Sequence, residues 1–552
     1  MVGSRGHWRA LAVLCLGTFA ILLDSTIVNV ALPSLITGLH ASLDQALWVV
    51  NAYLLVFAAL LILAGRLGDR FGPRRLFVFG LGLFAISSAL CGAAQTPLEL
   101  IGARVLQGVG AAALTPQALV IIQSVFPRER MGAALGVFSS MVGLAAVSGP
   151  VLGGVITTEL GWRWVFYVNL PVAAAGIALS YAFVPDIRTN RPHLLDLPGV
   201  LLGSIGLAVL LYGVIEGQRY SWGTAGFGIT IPEIIAAGLL VLTAFWLWER
   251  RHAQPLVPAA LFRSRTFTVV VALSLATQFA LQSMLLVNSI NLQSVLGFTA
   301  VHAGLTGLPL TIALTAAAPF AGRLTDRFGG KYVLMAGLAV FALGVAGVAT
   351  LASAHATSLT FAPALLVGGL GMGMIFAPLA TTGMRAAPPD LAGAASGVLN
   401  TGRQLGATLG GAISGAVLAT TLTSAMRSRA LNAASQLPPA ARAGFLAGFA
   451  HTASSGLQVG RGQAAATLPL AMPAALASRI ERLIHDVFVH GYLAAMRPTL
   501  ALSVALLLVG AAACVLLRRR SAADETAEAD RAALAGQAGR RLSTQIGSNV
   551  AD

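Results

Sequence analysis

The chain alternates between long apolar runs and short polar or charged segments along most of its length. Each run holds about 20 residues, which is enough for a helix to cross a hydrocarbon core of roughly 30 Å. The pattern predicts fourteen membrane-spanning helices. Their expected bounds are 10–33, 46–64, 76–95, 98–122, 132–156, 164–184, 197–215, 229–248, 266–288, 303–321, 332–351, 359–383, 393–421 and 493–517.

A charged, glycine-rich turn occurs twice between these runs. Residues 65–72 read Gly-Arg-Leu-Gly-Asp-Arg-Phe-Gly, and residues 322–329 read Gly-Arg-Leu-Thr-Asp-Arg-Phe-Gly, 257 positions later. A second, shorter sequence repeat relates residues 132–137 to residues 393–398. Such repeats are typical of secondary transporters, whose halves share one architecture. We therefore predict an all-α integral membrane protein with two pseudo-symmetric six-helix bundles.

The repeated turn joins spans two and three and then spans ten and eleven, a displacement of eight spans. The simplest arrangement is six plus two plus six helices. It predicts an N-terminal bundle at 1–184, an inserted helix pair with a cytoplasmic linker at 185–265, and a C-terminal bundle at 266–517. The polar stretch 422–492 is predicted to be an extracytoplasmic loop. The tail 518–552 has no apolar stripe and is predicted to be disordered.

One segment of the long loop carries its own pattern. Residues 476–492 predict an amphipathic helix, which either lies on the membrane or packs against the bundle. We assign it no function.

Composition and charge support a membrane protein and set its orientation. The chain is 57% hydrophobic and 10% charged, whereas soluble domains carry roughly 25% charged residues. The predicted inside loops and both tails hold 24 of the 35 Lys and Arg residues, so both termini are predicted to be cytoplasmic, with the protein in the inner (plasma) membrane. The net charge of +15 is thus an orientation signal, and no nucleic-acid partner is expected.

The three cysteines, Cys15, Cys91 and Cys514, all lie in predicted spans. They form neither a disulfide framework nor a metal-ligand spacing. We expect no metal and no redox chemistry.

Asp24 is the only acidic residue placed well inside a predicted span, where a carboxylate costs several kcal/mol unless it is paired, hydrated or protonated. Burial favours the neutral form of a carboxyl group and a nearby cation favours the ionised form, so a change of partner can make Asp24 bind and release a proton. Arg104 lies within roughly 5 Å of the same depth and is the predicted partner. The alternative is a static pair that only positions helices.

The repeated turn is predicted to form a conformational latch that holds the bundles in the outward-open state. An aspartate in both copies can bind helix-end N–H groups or an arginine, which a merely positive loop does not explain. The predicted latch residues are Gly65, Asp69, Arg70, Gly72, Arg74, Asp326 and Arg327.

The fifth span carries a cluster of small residues and one proline, namely Gly149, Pro150, Gly153 and Gly154. Glycines four residues apart favour close helix packing, and the proline frees a backbone carbonyl. The cluster is either a hinge for the rocking motion or a packing feature alone.

These motifs resemble the major facilitator superfamily, and within it the fourteen-span drug:proton antiporters of the EmrB/QacA type. The resemblance covers nearly the whole chain. Its most specific parts are residues 23–33 and 162–171, with 65–75, Arg104 and the fifth-span cluster in support. The resemblance implies that Asp24 is the proton site and Arg104 its partner in coupling. It also implies that Asp69 and Arg70 belong to the latch, and that the fifth-span cluster is the hinge.

The resemblance further implies proton-coupled export of amphiphilic small molecules by alternating access, without a cofactor. ATP-driven export is disfavoured, because Gly330 and Lys331 are followed by Tyr332 and no phosphate-binding loop is formed. The chain departs from members of the family that export divalent cations and use an acidic residue deep in the second bundle, since its tenth span has no acid. By this comparison multivalent cations are disfavoured, and neutral amphiphiles, monocations and weak acids remain. Candidate cavity residues are Asn29, Trp48, Asn51, Tyr53, Gln107, Gln282 and Gln293, although ordinary interhelical hydrogen bonds are the alternative role for most of them.

Three alternatives stay open at this level. The cargo is either a drug or a self-made metabolite or siderophore, and a membrane sensor without transport is the remote third. An enzyme is not expected. A periplasmic adaptor protein is a partner that the resemblance allows, and the oligomeric state is not predicted.

Overall fold

The structure is a computed structural model that describes residues 4–186, 196–217, 219–220, 222–225, 228–252, 255–388, 391–439, 442, 445–446 and 474–517. Within these ranges the regular structure is helical, with one isolated antiparallel bridge between Thr224 and Thr230.

The first part of the chain forms helices α1 (Ser4–Leu39), α2 (Leu43–Phe71), α3 (Pro73–Ala93), α4 (Pro97–Val125), α5 (Arg128–Glu159), α6 (Trp164–Tyr167) and α7 (Asn169–Phe183). Two further helices follow, α8 (Leu197–Glu216) and α9 (Ile231–Glu249). The last part forms α10 (Ala259–Arg263), α11 (Arg265–Ile290) with a π-helical turn at Asn291–Val295, α12 (Ala300–Thr306), α13 (Leu308–Phe328), α14 (Gly330–Leu351), α15 (Ser358–Ala386), α16 (Ala392–Ala434) and α17 (Ala474–Ala513).

In the described part of the chain, thirteen helical segments are long and apolar enough to cross a membrane. Each predicted span except the fifth falls within one of these segments, to within two residues at either end. The fifth predicted span, 132–156, lies in α5, a helix of 32 residues. The prediction of an all-helical, multi-pass membrane protein is confirmed, and the total of fourteen spans stays a prediction.

The repeated turn has the same backbone geometry in both halves. Gly72 has a φ of 92° and Gly329 a φ of 82°, a left-handed region that glycine adopts without strain. The Gly72 N–H donates to the Gly68 carbonyl at 3.0 Å, and the Gly329 N–H donates to the Thr325 carbonyl at 2.9 Å. Each glycine therefore ends one helix and lets the next begin at once.

The two halves meet along two equivalent helix pairs, α5 with α13 and α2 with α16. Gly132 faces Gly322 in the first pair, and Gly65 faces Gly393 in the second. A Cβ atom on any of these four glycines would overlap a carbonyl oxygen of its counterpart. Small residues thus let the backbones touch, and the molecule is closed between the halves on the side of the repeated turns.

Helices α8 and α9 pack on each other, and α8 also contacts α2 and α16. The Trp48 ring of α2 lies 5.8 Å from the Tyr212 ring of α8. At the other end of α8, the buried Asp196 carboxylate accepts a hydrogen bond from Trp248 Nε1 of α9 at 2.8 Å. The pair is therefore fixed both internally and against the two halves.

Helices α16 and α17 extend into the stretch that was predicted to be a loop, 422–492. Helix α16 continues to Ala434 and α17 begins at Ala474, because an apolar stripe on each helix packs against the other. Met426 and Tyr492 are buried, and the Tyr492 hydroxyl donates to the Val287 carbonyl at 2.6 Å. Residues 476–492 thus form a helix that packs against the bundle, which is one of the two alternatives predicted for this segment. The predicted tail, 518–552, lies outside the described residues.

Candidate functional site

A polar cluster is enclosed by α1, α3, α4 and α7. Asp24 of α1 and Arg104 of α4 are both 0% exposed. Arg104 Nη1 lies 2.5 Å from Asp24 Oδ2. The structure thus brings together Asp24 and Arg104, which the sequence predicts to be partners because they lie at a similar depth in the membrane. Because one charge is negative and the other positive, the cluster can be neutral overall in an apolar surrounding.

Three polar side chains complete the surroundings of the carboxylate. Asp24 Oδ1 accepts hydrogen bonds from Gln107 Nε2 and from Asn169 Nδ2, each at 3.0 Å. Gln107 Nε2 also donates to Ser88 Oγ at 2.8 Å. Gln107, Asn169 and Ser88 are each at most 1% exposed. Asp24 is therefore solvated by protein groups rather than by water in this conformation.

Arg104 is anchored on α2 as well as on α1. Its Nε donates to the Val49 carbonyl at 3.0 Å, and its guanidinium carbon lies 4.1 Å from the centre of the Tyr53 ring. The cation therefore rests on an aromatic face, which adds to its stabilisation. Among the described residues, Nη2 has no hydrogen-bond acceptor. The Asp24 carboxylate is thus the main compensation for the buried positive charge.

The sequence analysis predicted only some of the residues of this cluster as a proton site. Asn169 and Ser88 were not singled out, although Asn169 lies in the distinctive stretch 162–171. Gln107 and Tyr53 were predicted to line a substrate cavity, and the structure places both beside the Asp24–Arg104 pair instead. A polar side chain inside a predicted span was the available signal for all four.

The repeated turn of the second half contacts the start of α5 in the first half. Asp326 Oδ1 accepts from the Gly132 N–H at 2.9 Å, and Oδ2 accepts from the Ala133 N–H at 3.1 Å. Arg385 Nη2 of α15 lies 2.7 Å from Asp326 Oδ1. This carboxylate therefore joins α13, α15 and α5 through charge-assisted hydrogen bonds.

The first-half turn makes the reciprocal contact. Asp69 Oδ1 accepts from the Gly393 N–H of α16 at 3.0 Å. Arg66 Nη1 lies 3.7 Å from Asp69 Oδ2, and Arg66 Nη2 donates to the Pro255 carbonyl at 2.5 Å. Each aspartate of the repeat thus binds the start of a helix in the opposite half, where the helix dipole favours a negative charge.

The other predicted latch arginines do not join these contacts. Arg70 and Arg327 are exposed, and each guanidinium lies over the ring of the next residue, Phe71 or Phe328. Arg74 donates to the Val184 carbonyl at 3.1 Å and lies 3.8 Å from Asp186 within the first half. Sequence reasoning missed Arg385, because it lies in the last turn of α15 and outside the repeated turn.

The glycine cluster of α5 packs against α1. A Cβ on Gly149 would overlap the Thr26 side chain, and one on Gly153 would lie 2.8 Å from Ile27 Cγ1. Thr26 and Ile27 follow Asp24 closely on α1. A Cβ on Gly154 would lie 4.0 Å from Val301 Cγ2 of α12, so this position has room for a side chain. Helix α1 thus carries the buried carboxylate and also the surface that meets α5. The Pro150 side chain lies outside the described part.

A cavity lies between the two halves, bounded by α4 and α5 on one side and by α11, α15 and α16 on the other. Its lining residues are Leu119, Phe138, Ser139, Ser274, Thr277, Gln278, Phe376, Leu379, Ala380, Leu399, Asn400 and Arg403.

None of the seven predicted cavity residues is among this lining. Asn29, Gln282 and Gln293 are exposed elsewhere, and Asn51 is half-buried. Trp48 packs on Tyr212, as described above. Polarity within a span finds candidate residues, but it does not say which face of the helix meets the other half.

Comparison with known proteins identifies the family to which this architecture belongs. The family profile described as Major Facilitator Superfamily matches residues 14–411. This chain belongs to that superfamily. The transporter is similar to the tetracenomycin C resistance and export protein of Streptomyces glaucescens, with 34% identity over 74% of this chain and 75% of that protein. It is also similar to the multidrug resistance protein Stp of Mycobacterium tuberculosis, with 34% identity over 73% of this chain and 74% of that protein.

A solved structure supports the superfamily fold. The proton:xylose symporter XylE, bound to 6-bromo-6-deoxy-D-glucose, superposes with a TM-score of 0.53 at 16% identity, covering 74% of this chain and 88% of the symporter. At this identity the likeness concerns the fold alone. The molecule is thus a multi-pass membrane transporter of the major facilitator type, rather than an enzyme.

The buried pair of this major facilitator protein gives a stability prediction. Replacing Arg104 by Met leaves the Asp24 carboxylate without its cation, and we expect the free energy of unfolding to fall by about 3–5 kcal/mol. Adding Asp24→Asn removes the uncompensated charge and should recover a large part of that loss. Thermal unfolding of the purified variants measures both effects.

The matched control is Arg429→Met, because Arg429 is exposed on α16. We expect this variant to unfold like the wild type. The single variant Asp24→Asn completes the comparison. If the losses in unfolding free energy of Arg104→Met and Asp24→Asn simply added in the double variant, Asp24 and Arg104 would not be coupled, and their pairing would be contradicted.

The reciprocal aspartate contacts give a second prediction. Asp326→Ala removes the two charge-assisted hydrogen bonds that Asp326 makes to α5 across the halves, so the closed arrangement should weaken by about 2 kcal/mol or more, roughly thirtyfold in the equilibrium. Spin labels at Glu129→Cys and Leu324→Cys, both exposed positions on opposite halves, should then report a larger population of long distances.

Asp186→Ala is the control, since Asp186 lies 3.8 Å from Arg74 and from Arg75 of its own half. Its distance distribution should match that of the wild type. Equal distributions in the wild type and Asp326→Ala would contradict a role of Asp326 in closing the halves.

Proposed function

We propose that this transporter exports amphiphilic small molecules in exchange for protons, by alternating access. It would be a fourteen-span antiporter of the EmrB/QacA type, arranged as six plus two plus six helices, with both termini in the cytoplasm and no cofactor. The observation that carries the proposal is the Asp24–Arg104 pair, in which a titratable carboxylate is 0% exposed inside the first half. The names of the resistance and export relatives support an exporter.

The proton step follows from the surroundings of Asp24. An ionised carboxylate in an apolar interior needs either a cation or a proton. In the closed arrangement Arg104 supplies the cation and Gln107 and Asn169 supply N–H donors. A conformation that admits water and draws α1 away from α4 lets a proton take the place of Arg104. Binding and release of that proton would therefore accompany a movement of α1.

The movement of α1 reaches the other half through α5. Helix α1 contacts α5 at Thr26 and Gly149, next to Asp24. Helix α5 in turn contacts α13, where Ser140 Oγ donates to the Thr315 carbonyl at 3.1 Å and Asp326 binds the Gly132 N–H. Protonation of Asp24 would thus favour separation of the halves on the side of the repeated turns, which positive-inside charge places in the cytoplasm.

Export of a self-made metabolite is the second candidate, and it shares the fold and the coupling. The relative from Streptomyces glaucescens favours it, because its name joins resistance with export of tetracenomycin C.

Flux in proteoliposomes tests the proposal. With a pH gradient imposed across the membrane, we expect the wild type to move at least one member of a panel of amphiphiles, namely tetracenomycin C, ethidium and 1-pyrenebutyrate, with counterflow of protons. Asp24→Asn keeps the shape of the side chain but cannot ionise, so gradient-driven flux should fall by about tenfold or more. Exchange of labelled substrate without a gradient should persist.

Asp486→Asn is the matched control, because Asp486 is an exposed acid in the first half of α17. We expect gradient-driven flux to be unchanged in this variant. Gradient-dependent flux that survives in Asp24→Asn at matched reconstitution would move the coupling site elsewhere, and proton counterflow absent from the wild type would refute antiport.

A further inference from the structure

Arg403 contributes a positive charge to the cavity between the halves. It lies on α16, about 11 residues from the start of the helix, which corresponds to a depth of roughly 16 Å. The side chain is half-buried, and its Nε is shielded from solvent. Its guanidinium carbon lies 5.2 Å from the centre of the Phe376 ring, which is also part of the cavity wall.

Arg403 differs from Arg104 in having no anionic partner among the residues that the structure describes. Arg104 binds a carboxylate, a side-chain amide and a backbone carbonyl. For Arg403, the described part of the chain supplies neither an ion pair nor a hydrogen-bond acceptor. A guanidinium in a membrane interior is costly unless it is paired, so an unpaired one that faces a cavity marks a function.

The other walls of the cavity contain no second charge within the described residues. Helix α5 contributes Phe138 and Ser139, and α11 contributes Ser274, Thr277 and Gln278. Gln278 Oε1 has no hydrogen-bond partner in the structure. The cavity thus combines two aromatic rings, several neutral polar groups and a single cation.

This combination separates the cargo classes that the sequence left open. A monocation would meet the like charge of Arg403. A neutral amphiphile would leave the guanidinium unpaired. An acidic group would pair with it, because the planar guanidinium fork binds a carboxylate through two parallel hydrogen bonds. The rings of Phe138 and Phe376 would contact the apolar part of the same molecule.

We propose that Arg403 binds the acidic group of an anionic, aromatic amphiphile when the cavity between the halves, about 50 Å³ in this closed arrangement, widens as the halves separate. The inference rests on the proposed export function and names the chemical class of its cargo. Asp24 would serve the proton and Arg403 the substrate, each in a different part of the molecule.

Binding to the purified full-length transporter in lipid nanodiscs tests the proposal. The probes are 1-pyrenebutyrate, its neutral amide and the matching 1-pyrenebutylammonium, with empty nanodiscs as the background for membrane partition. Fluorescence anisotropy gives the three affinities. We expect the wild type to bind the acid about tenfold or more tightly than the amide, and the ammonium more weakly than the amide.

The preference should disappear in Arg403→Gln, where acid and amide should bind about equally, and Arg403→Lys should retain part of it. Arg427→Gln is the control, since Arg427 is an exposed arginine on the same helix. Size-exclusion profiles and thermal unfolding establish that each variant is folded. If Arg403→Gln does not fold, the comparison of Arg403→Lys with the wild type decides.

Equal affinities for acid and amide in the wild type would overturn the proposal, as would an acid preference that survives in folded Arg403→Gln. The outcome is distinct from that of the flux experiment. Acid preference without gradient-driven flux would refute antiport and leave the Arg403 site standing. Gradient-driven flux without acid preference would support antiport and refute the Arg403 site.

Discussion

The scarcity of water in the membrane interior is the constraint on which the structure depends, and the Asp24–Arg104 pair expresses it most directly. Two ionised groups at 0% exposure can persist only because each compensates the other and because Gln107 and Asn169 supply the remaining hydrogen bonds. Three helices are thereby held in one register, with α1 and α7 meeting α4 at a single depth. The same constraint makes the pair sensitive to any change in water access.

The contacts between the halves obey a related rule, since they combine backbone proximity with charge. Facing glycines let α5 approach α13 and α2 approach α16 until the backbones touch. Asp326 and Asp69 then bind amides that this proximity brings within reach. The aspartate hydrogen bonds depend on the glycine contacts, because a side chain in place of either glycine would push the helices apart and move the amide N–H beyond hydrogen-bonding distance of the carboxylate. The repeat therefore preserves a geometry as well as a sequence.

The sequence predicts well what is local or repeated, and poorly what depends on the face of a helix. Long apolar runs and the duplicated turn predict the helices and their order, and depth along the chain brings Asp24 to Arg104. The partner of Asp326 could not be predicted in the same way, because Arg385 lies in the last turn of α15, outside the repeated turn. Tyr53 and Gln107 were expected in a cavity because polarity shows that a residue is buried among helices, but not which helices. Arg403 was overlooked even though an arginine within a predicted span was a visible signal.

The separation of the two arginines bears on the energy source. Asp24 and Arg104 together carry no net charge when both are ionised, whereas the cavity carries the charge of Arg403. In the proposed exchange, a monoanion leaving against one entering proton moves two elementary charges in the same electrical sense. A membrane potential of 100 mV, negative inside, contributes roughly 2.3 kcal/mol for each of them. A neutral cargo would gain half as much. An anionic cargo therefore makes the potential, as well as the pH gradient, a driving force for export.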